Sequence, residues 1–231
     1  MDYDEFYDEQ YFEDEYPLQP VGCLPIFLVV IGVAFMLAWG LSQIKISIPA
    51  SASVPTNLSR STNRGGEIAP FFTPEVQYWG GNIATWSEQT GIDPNLIATV
   101  IQIESCGDPQ ARSSAGAMGL FQVMPFHFES GEDPYKPAVN ARRGLDYLRR
   151  ALEARDGIVR FAFASYNGGI TGAKRPESQW ASETQRYVYW GTGIYEDAIQ
   201  GETTSDRLDE WLARGGSSLC NQAAQRLGIT K

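Results

Sequence analysis

Apolar residues recur at helical spacing from about residue 75 to the end of the chain. Recurrence every three or four positions is typical of one buried helix face. The pattern predicts helices over 75–90, 94–105, 140–154, 157–166, 182–199, 205–213 and 219–227. Alternating, strand-like stretches are scarce over the same residues, so the fold class predicted for residues 75–231 is mainly α.

The helix over 94–105 has the best-defined ends. Asp93 can cap the free N–H groups of its first turn, Pro94 suits the first helical position, and Gly107 favours the left-handed conformation that ends a helix. Four residues share one face: Ile97, Val100, Ile101 and Glu104. A carboxylate therefore ends an apolar face. If it is desolvated, its raised pKa suits a general acid; alternatively, Glu104 leans into solvent at the last turn.

The first 74 residues differ in composition from the helical region. Residues 21–44 carry no charged side chain and are long enough to cross a hydrocarbon core of roughly 30 Å. They are predicted to form a single transmembrane helix. A cleavable signal peptide is the alternative, because small residues follow at 50–52, but the long acidic segment before the apolar run disfavours it. Residues 45–74, rich in Ser, Pro and Thr, are predicted to be a flexible linker.

The net charge of −10 is concentrated at the N-terminus. Residues 1–20 carry eight of the 28 acidic side chains and no Lys or Arg, so the rest of the chain is close to neutral. Without a dominant basic patch, nucleic acid is not an expected partner. The acidic head also contains six aromatic residues and is predicted to be disordered. It is either a solvated tail or a segment that binds a protein partner.

Two arguments about membrane orientation disagree. Basic residues follow the predicted span and none precedes it, which by the positive-inside rule places the C-terminal body in the cytoplasm. Cys106 and Cys220, the two cysteines outside the span, form a natural pair, and a disulfide would place the body in an oxidising, extracytoplasmic space. The alternative is two independent buried thiols.

Four short sequence blocks carry the candidate chemistry. They are Glu104-Ser105, GLFQVMP at 119–125, ASYNGG at 164–169 and ETQRYV at 183–188. Each is weak alone, but together and in this order they resemble the soluble lytic transglycosylase (SLT) family, relatives of goose-type lysozyme. The resemblance covers roughly residues 75–200, and it departs from the family pattern at Phe121, where the family usually has Met. It implies a lysozyme-like helical domain, which would follow the predicted membrane helix and linker in the chain.

The resemblance implies cleavage of peptidoglycan glycan strands between N-acetylmuramic acid and N-acetylglucosamine. Glu104 corresponds to the single catalytic acid of the family. It would protonate the glycosidic oxygen and then, as a base, take the proton from the muramyl C6 hydroxyl, which attacks C1 to give a 1,6-anhydro product. Most glycosidases instead need a second carboxylate.

The resemblance also assigns supporting roles to five residues. Ser105 would contact the substrate acetamido group, unless it is only a polar residue at the helix end. Gln122 would bind sugar hydroxyls, and Tyr166 and Asn167 would line the cleft. Tyr187 would orient the catalytic carboxylate, with a core aromatic as the alternative.

Other chemistries are less well supported by the sequence. Glu183 is interpreted as a residue that caps or pairs within its own helix. No cofactor is expected, and a metal site is not predicted because His127 is the only histidine and has no second ligand at metal-binding spacing.

Two alternative functions stay open. One is a lysozyme-type hydrolase in which Asp108 or Asp133 activates water. The other is a non-catalytic module that binds the cell wall. For the favoured function, the substrate and the cysteine pair predict a single-pass protein of the cell membrane, with its catalytic domain outside the cytoplasm.

Overall fold

The structure is a computed structural model that describes residues 67–229. The expectations for the acidic head at 1–20, the membrane helix at 21–44 and most of the linker at 45–74 lie outside the described residues. Within 67–229, none of the helices combines the length and the apolar composition that crossing a membrane requires.

Eight α-helices make up most of the described residues, and the prediction of a mainly α fold is confirmed. They are α1 (Pro74–Gln77), α2 (Gly80–Thr90), α3 (Pro94–Ser105), α4 (Pro137–Glu153), α5 (Val159–Gly168), α6 (Ser182–Gln200), α7 (Asp206–Trp211) and α8 (Ser217–Leu227). Short 3-10 helices lie at Pro125–His127, Gly172–Lys174 and Glu177–Gln179, and a π-helical turn at Leu212–Gly216 joins α7 to α8. The extended pairing between described residues consists of isolated bridges around Met118.

Helix α3 lies at the centre of the domain. The Asp93 carboxylate accepts hydrogen bonds from the N–H groups of Asn95 (2.8 Å) and Leu96 (3.3 Å), so the predicted cap is present. Every residue of α3 after Pro94 is buried. The sequence pattern indicated one apolar face, whereas α1, α2, α6 and α8 together cover the helix. Its polar residues are therefore buried with its apolar ones.

The end of α3 is fixed by a left-handed turn and a disulfide. Cys106 itself adopts positive φ (49°), one residue before the glycine that the sequence indicated as the helix terminator. The expected disulfide between Cys106 and Cys220 is present, with the two Cα atoms 5.0 Å apart. It joins the end of α3 to α8 across a sequence separation of 114 residues.

Predicted and observed helices differ at their boundaries. The single helix expected over 75–90 is interrupted between α1 and α2, at Tyr78 and Trp79. The indole N–H of Trp79 donates to the carbonyl of Gly107 at 2.9 Å, a contact between residues far apart in sequence. Helix α4 begins three residues earlier than expected, at Pro137, a residue suited to the first helical turn.

Candidate active site

The carboxyl group of Glu104 is buried at the last turn of α3. The residue is 8% exposed, and the hydroxyl of Tyr187 donates to its Oε1 at 2.7 Å. The pKa of Glu104 is raised to about 8: burial raises it most, the Tyr187 hydrogen bond lowers it in part, and the nearby Glu183 carboxylate adds to the rise. The solvent-exposed alternative for Glu104 is therefore wrong. At neutral pH this carboxyl group is protonated and can give up a proton.

Helix α6 places Tyr187 and Glu183 next to the acid. The two residues are four positions apart, so they share one face of α6. Glu183 is half-buried, and burial is the main cause that raises its pKa, while Asn167 and Arg186 act in the opposite direction. Glu183 was expected to cap or pair within its own helix; it has Arg186 of α6 near it, but it also contacts Asn167 of α5, and its charge acts on Glu104.

Asn167 links the end of α5 to the start of α6. Its Nδ2 donates to Glu183 Oε1 at 3.3 Å, and its Oδ1 accepts from the Thr184 hydroxyl at 2.7 Å. Gly168 allows this close approach, since a Cβ at that position would lie 2.8 Å from Thr184 Oγ1. The YN and ETQRY blocks of the sequence therefore meet in one hydrogen-bonded unit beside Glu104.

Gln122 lies on a tight turn that is closed by backbone pairing. Its φ is +44°, and its side-chain Nε2 donates to the carbonyl of Gly119 at 2.9 Å. On either side, Met118 and Val123 exchange two backbone hydrogen bonds. The Tyr166 hydroxyl donates to the carbonyl of Phe121 at 2.9 Å. Tyr166 was expected to line the cleft. Its hydroxyl group is bound to the backbone beside Gln122.

Asn140 secures this turn from α4. It is 1% exposed, its Oδ1 accepts from the Phe121 N–H at 2.8 Å, and its Nδ2 donates to the carbonyls of Met118 (2.7 Å) and Pro134 (3.0 Å). A Cβ on residue 119 would lie 2.5 Å from Asn140 Nδ2, so the turn needs Gly119. Asn140 was not among the predicted site residues, because its only signal in the sequence is an amide beside the apolar face at the start of a helix.

The hydroxyl of Ser105, which the resemblance assigns to the substrate acetamido group, is bonded to the backbone around it. Its side chain is fully buried, and its hydroxyl donates to the carbonyl of Leu120 at 2.8 Å and accepts from the Gly107 N–H at 3.1 Å. The carbonyl of Ile101 lies within 3.4 Å as well, so backbone groups surround this hydroxyl in this conformation. It joins the end of α3 to the turn that carries Gln122.

The two aspartates of the hydrolase alternative have other partners. Asp108 is buried, forms an ion pair with Arg226 at 2.9 Å and accepts from the Gln110 N–H. Asp133 is exposed and accepts from the Tyr135 N–H at 3.0 Å. The carboxylate whose charge acts on Glu104 is that of Glu183.

One cluster of metal-ligand types occurs among residues 67–229. It consists of Glu75, Cys106 and Cys220, but the two sulfur atoms are bonded to each other. His127 is not part of it. The imidazole lies between the rings of Phe126 and Tyr147, at centroid distances of 4.5 and 5.1 Å.

Comparison with known proteins finds that part of this chain is similar to one family. Residues 81–188 match the family model of the transglycosylase SLT domain, and all four sequence blocks lie within that range. A transglycosylase of Enterobacteria phage PRD1 is 37% identical over 111 residues, which make up 47% of this chain and 40% of the phage protein. The membrane-bound lytic murein transglycosylase E of Buchnera aphidicola subsp. Acyrthosiphon pisum (strain APS) is 29% identical over 83 residues, 36% of each protein.

Among solved structures, an inactive mutant of the lytic transglycosylase Slt from Pseudomonas aeruginosa is similar to this chain with a TM-score of 0.39 and 20% identity. That alignment covers 65% of this chain and 24% of the Pseudomonas chain. The match therefore spans well under half the length of each of these relatives.

Proposed function

We propose that this protein is a lytic transglycosylase, because residues 81–188 match the family model of the transglycosylase SLT domain. Its substrate is the peptidoglycan glycan strand, cut at the β-1,4 bond between N-acetylmuramic acid and N-acetylglucosamine. The observation that carries the proposal is the state of Glu104: a buried carboxyl group with a pKa of about 8, hydrogen-bonded by Tyr187. Such a group enters the reaction with its proton in place.

Glu104 acts first as an acid and then as a base. The protonated carboxyl group donates its proton to the glycosidic oxygen as the bond to C1 of the muramyl sugar breaks. The resulting carboxylate takes the proton of the C6 hydroxyl, whose oxygen forms a bond to C1. The product carries a 1,6-anhydro bridge, Glu104 regains its proton, and no water molecule is consumed.

This chemistry needs a single carboxyl group, and the contacts of the other carboxylates near Glu104 are consistent with that. Most glycosidases require a second carboxylate, as a nucleophile or as the base that activates water. Asp108 is engaged by Arg226, and the Glu183 carboxylate is engaged by Asn167. With Asp108 and Glu183 each held by a neighbouring side chain, an attack by the substrate's own hydroxyl fits these contacts better than hydrolysis.

The remaining site residues orient the acid and the sugars. Tyr187 holds the carboxyl group of Glu104, and Gln122 offers amide donors and acceptors to sugar hydroxyls. Tyr166 and Asn167 set the positions of the Gln122 turn and of the start of α6. Ser105 is a positioning residue, since its hydroxyl ties the end of α3 to Leu120.

Product analysis tests the function directly. Wild-type protein incubated with purified sacculi is expected to release muropeptides with anhydro-muramic ends, which borohydride does not reduce. Glu104→Gln keeps the size of the side chain but removes the proton, so the rate is expected to fall roughly 100- to 10,000-fold. The matched control is Glu88→Gln, on an exposed residue of α2, which should retain the wild-type rate.

Three outcomes would contradict the proposal, each in a different way. Wild-type cleavage by Glu104→Gln would remove Glu104 as the acid. Reducible muramic ends from the wild-type protein would identify a hydrolase. A folded wild-type protein that binds sacculi without cutting them would be a wall-binding module.

We further propose that residues 21–44 anchor the protein by one membrane span and that residues 45–74 link the anchor to a catalytic domain outside the cytoplasm. The uncharged run, the Cys106–Cys220 disulfide and the location of peptidoglycan support this arrangement. The words "membrane-bound" in the printed name of the Buchnera relative agree with it. The acidic head at 1–20 is then free to bind a protein partner.

A further inference from the structure

Four aromatic rings form a continuous column from the candidate active site to the surface. This aromatic column consists of Tyr166, Tyr147, His127 and Phe126, with successive ring centroids 5.6, 5.1 and 4.5 Å apart. Its inner end, Tyr166, is 8% exposed, and its outer end, Phe126, is 67% exposed. Phe126 is the most exposed of the large hydrophobic side chains in residues 67–229.

The two inner rings of the column are held by the backbone of the site. Tyr166 donates its hydroxyl to the Phe121 carbonyl, and Tyr147 donates to the carbonyl of Ser165 at 3.2 Å. The guanidinium of Arg150 lies 5.2 Å from the centroid of the Tyr147 ring. Phe126 itself belongs to a 3-10 turn that begins at a proline. The outermost ring is therefore carried on an ordered backbone.

The length of the chain between Phe126 and Gln122 limits how far apart they can lie. Only three residues separate the two, so their Cα atoms cannot be more than about 14 Å apart, even with the chain fully extended. Val123, one of the three, pairs with Met118 and fixes the direction in which the chain leaves the turn. A glycan strand that contacts Gln122 has its next few sugar units within reach of the exposed ring.

We propose that Phe126 forms a stacking platform for one pyranose ring of the glycan strand, a few sugars away from the bond that is cut. The inference rests on the proposed function and names a binding position beyond Glu104. In β-1,4-linked sugars the equatorial substituents leave apolar C–H faces above and below the ring. Such a face packs against an aromatic ring, and the contact needs no charge. The platform therefore recognises sugar rather than the acidic groups of stem peptides.

The other exposed aromatic residues do not share this arrangement. A single exposed apolar residue needs no functional explanation. Tyr189 is occupied, since Arg207 lies 3.6 Å from its ring centroid and its hydroxyl donates to Glu210. Tyr78, which is 57% exposed, lies at the end of α1 and outside the SLT match. It provides a matched control of similar exposure.

Binding of an uncut ligand tests the platform separately from catalysis. The full-length protein carrying Glu104→Gln would be titrated calorimetrically with linear β-1,4 N-acetylglucosamine hexamer in detergent. Adding Phe126→Ala or Phe126→Leu is expected to weaken binding by about 3- to 10-fold, because neither side chain has a ring. Adding Phe126→Tyr should keep the affinity within about two-fold, and adding Tyr78→Ala should leave it unchanged.

The results separate a platform from a merely apolar surface. Unchanged binding by Phe126→Ala would overturn the inference, and so would a Phe126→Leu variant that binds like its parent. Because Phe126 is exposed, thermal denaturation should show the variants to be as stable as the parent. With Glu104 intact, Phe126→Ala should raise KM for peptide-free glycan strands and leave kcat unchanged. If the wild-type protein cuts no glycan, the proposed function fails while the binding measurements still decide the platform.

Discussion

At the scale of single residues, the chemistry depends on how strongly Glu104 holds its proton. Burial is the largest influence on its pKa, and Tyr187 and Glu183 adjust it in opposite directions. The Tyr187 hydroxyl stabilises the ionised carboxylate by a hydrogen bond, whereas the negative charge of Glu183 favours the protonated form. Two neighbours on one face of α6 therefore tune the same acid.

These opposite effects predict opposite shifts of the pH–rate profile. A general acid must be protonated, so the wild-type rate should fall as the pH rises through the pKa of about 8. Tyr187→Phe removes the bond that favours ionisation and should move this alkaline limb to higher pH. Glu183→Gln removes the repelling charge and should move it to lower pH. Each shift is expected to be roughly one pH unit, measured as kcat/KM against pH.

The control for both variants is Glu88→Gln, whose profile should overlay that of the wild-type protein. Shifts of Tyr187→Phe and Glu183→Gln in the same direction would contradict the assignment. If both variants were slower but the alkaline limb of their pH–rate profiles did not move, Tyr187 and Glu183 would act only on the fold.

At the scale of elements, the disulfide joins a helix inside the range of the family match to a helix outside it. Residues 81–188 include α3, whereas α8 lies beyond them. Cys106 follows Glu104 by two positions, so the covalent link to Cys220 fixes the end of the helix that carries the acid. Helix α8 is thus part of the structure that positions Glu104.

Removal of the disulfide should lower the stability of the domain. For a loop of this length, the chain-entropy model gives a loss of roughly 4–5 kcal/mol in the Cys106→Ala/Cys220→Ala double variant. The melting temperature, measured by calorimetry without reductant, should fall by on the order of 10 °C. Cys23→Ala is the matched control and should not change it. A double variant that melts like the wild-type protein would show that the bond contributes nothing to stability.

The helices themselves were largely predictable from the sequence. Helical spacing, the Asp93 cap and the proline at position 94 are local features, and they give α3 its correct start. The break between α1 and α2 was not predictable, because the Trp79 indole there bonds to the carbonyl of Gly107. The left-handed residue that ends α3 was expected at Gly107, whereas the structure has it one residue earlier, at Cys106, which also forms the disulfide.

At the scale of the whole molecule, the open prediction concerns orientation in the membrane. Lys45, Arg60 and Arg64 follow the predicted span and favour a cytoplasmic body, whereas the disulfide and the substrate favour an external one. The basic residues are few, and a persistent disulfide requires an oxidising space, so we expect the C-terminus outside. An alkaline phosphatase fused there should be active in intact cells.

The control for this fusion lacks residues 21–44 and should give an inactive reporter that stays inside. A C-terminal fluorescent reporter that matures only in the cytoplasm would overturn the external placement. The catalytic chemistry of Glu104 would then have to be tested on a substrate other than the cell wall.

The sequence by itself determined what depends on near neighbours, namely the mainly helical class and the cap of α3. It also pointed to the cysteine pair and to four blocks that resemble the SLT family. From the sequence alone, Glu104 could be either buried or exposed to solvent. Only the tertiary structure decided this, because the pKa depends on desolvation and on Tyr187 and Glu183, roughly eighty positions away along the chain. The tertiary structure also decided the partner of Ser105. A buried hydroxyl group needs a hydrogen-bond partner, and the backbone carbonyl of Leu120 packs beside it.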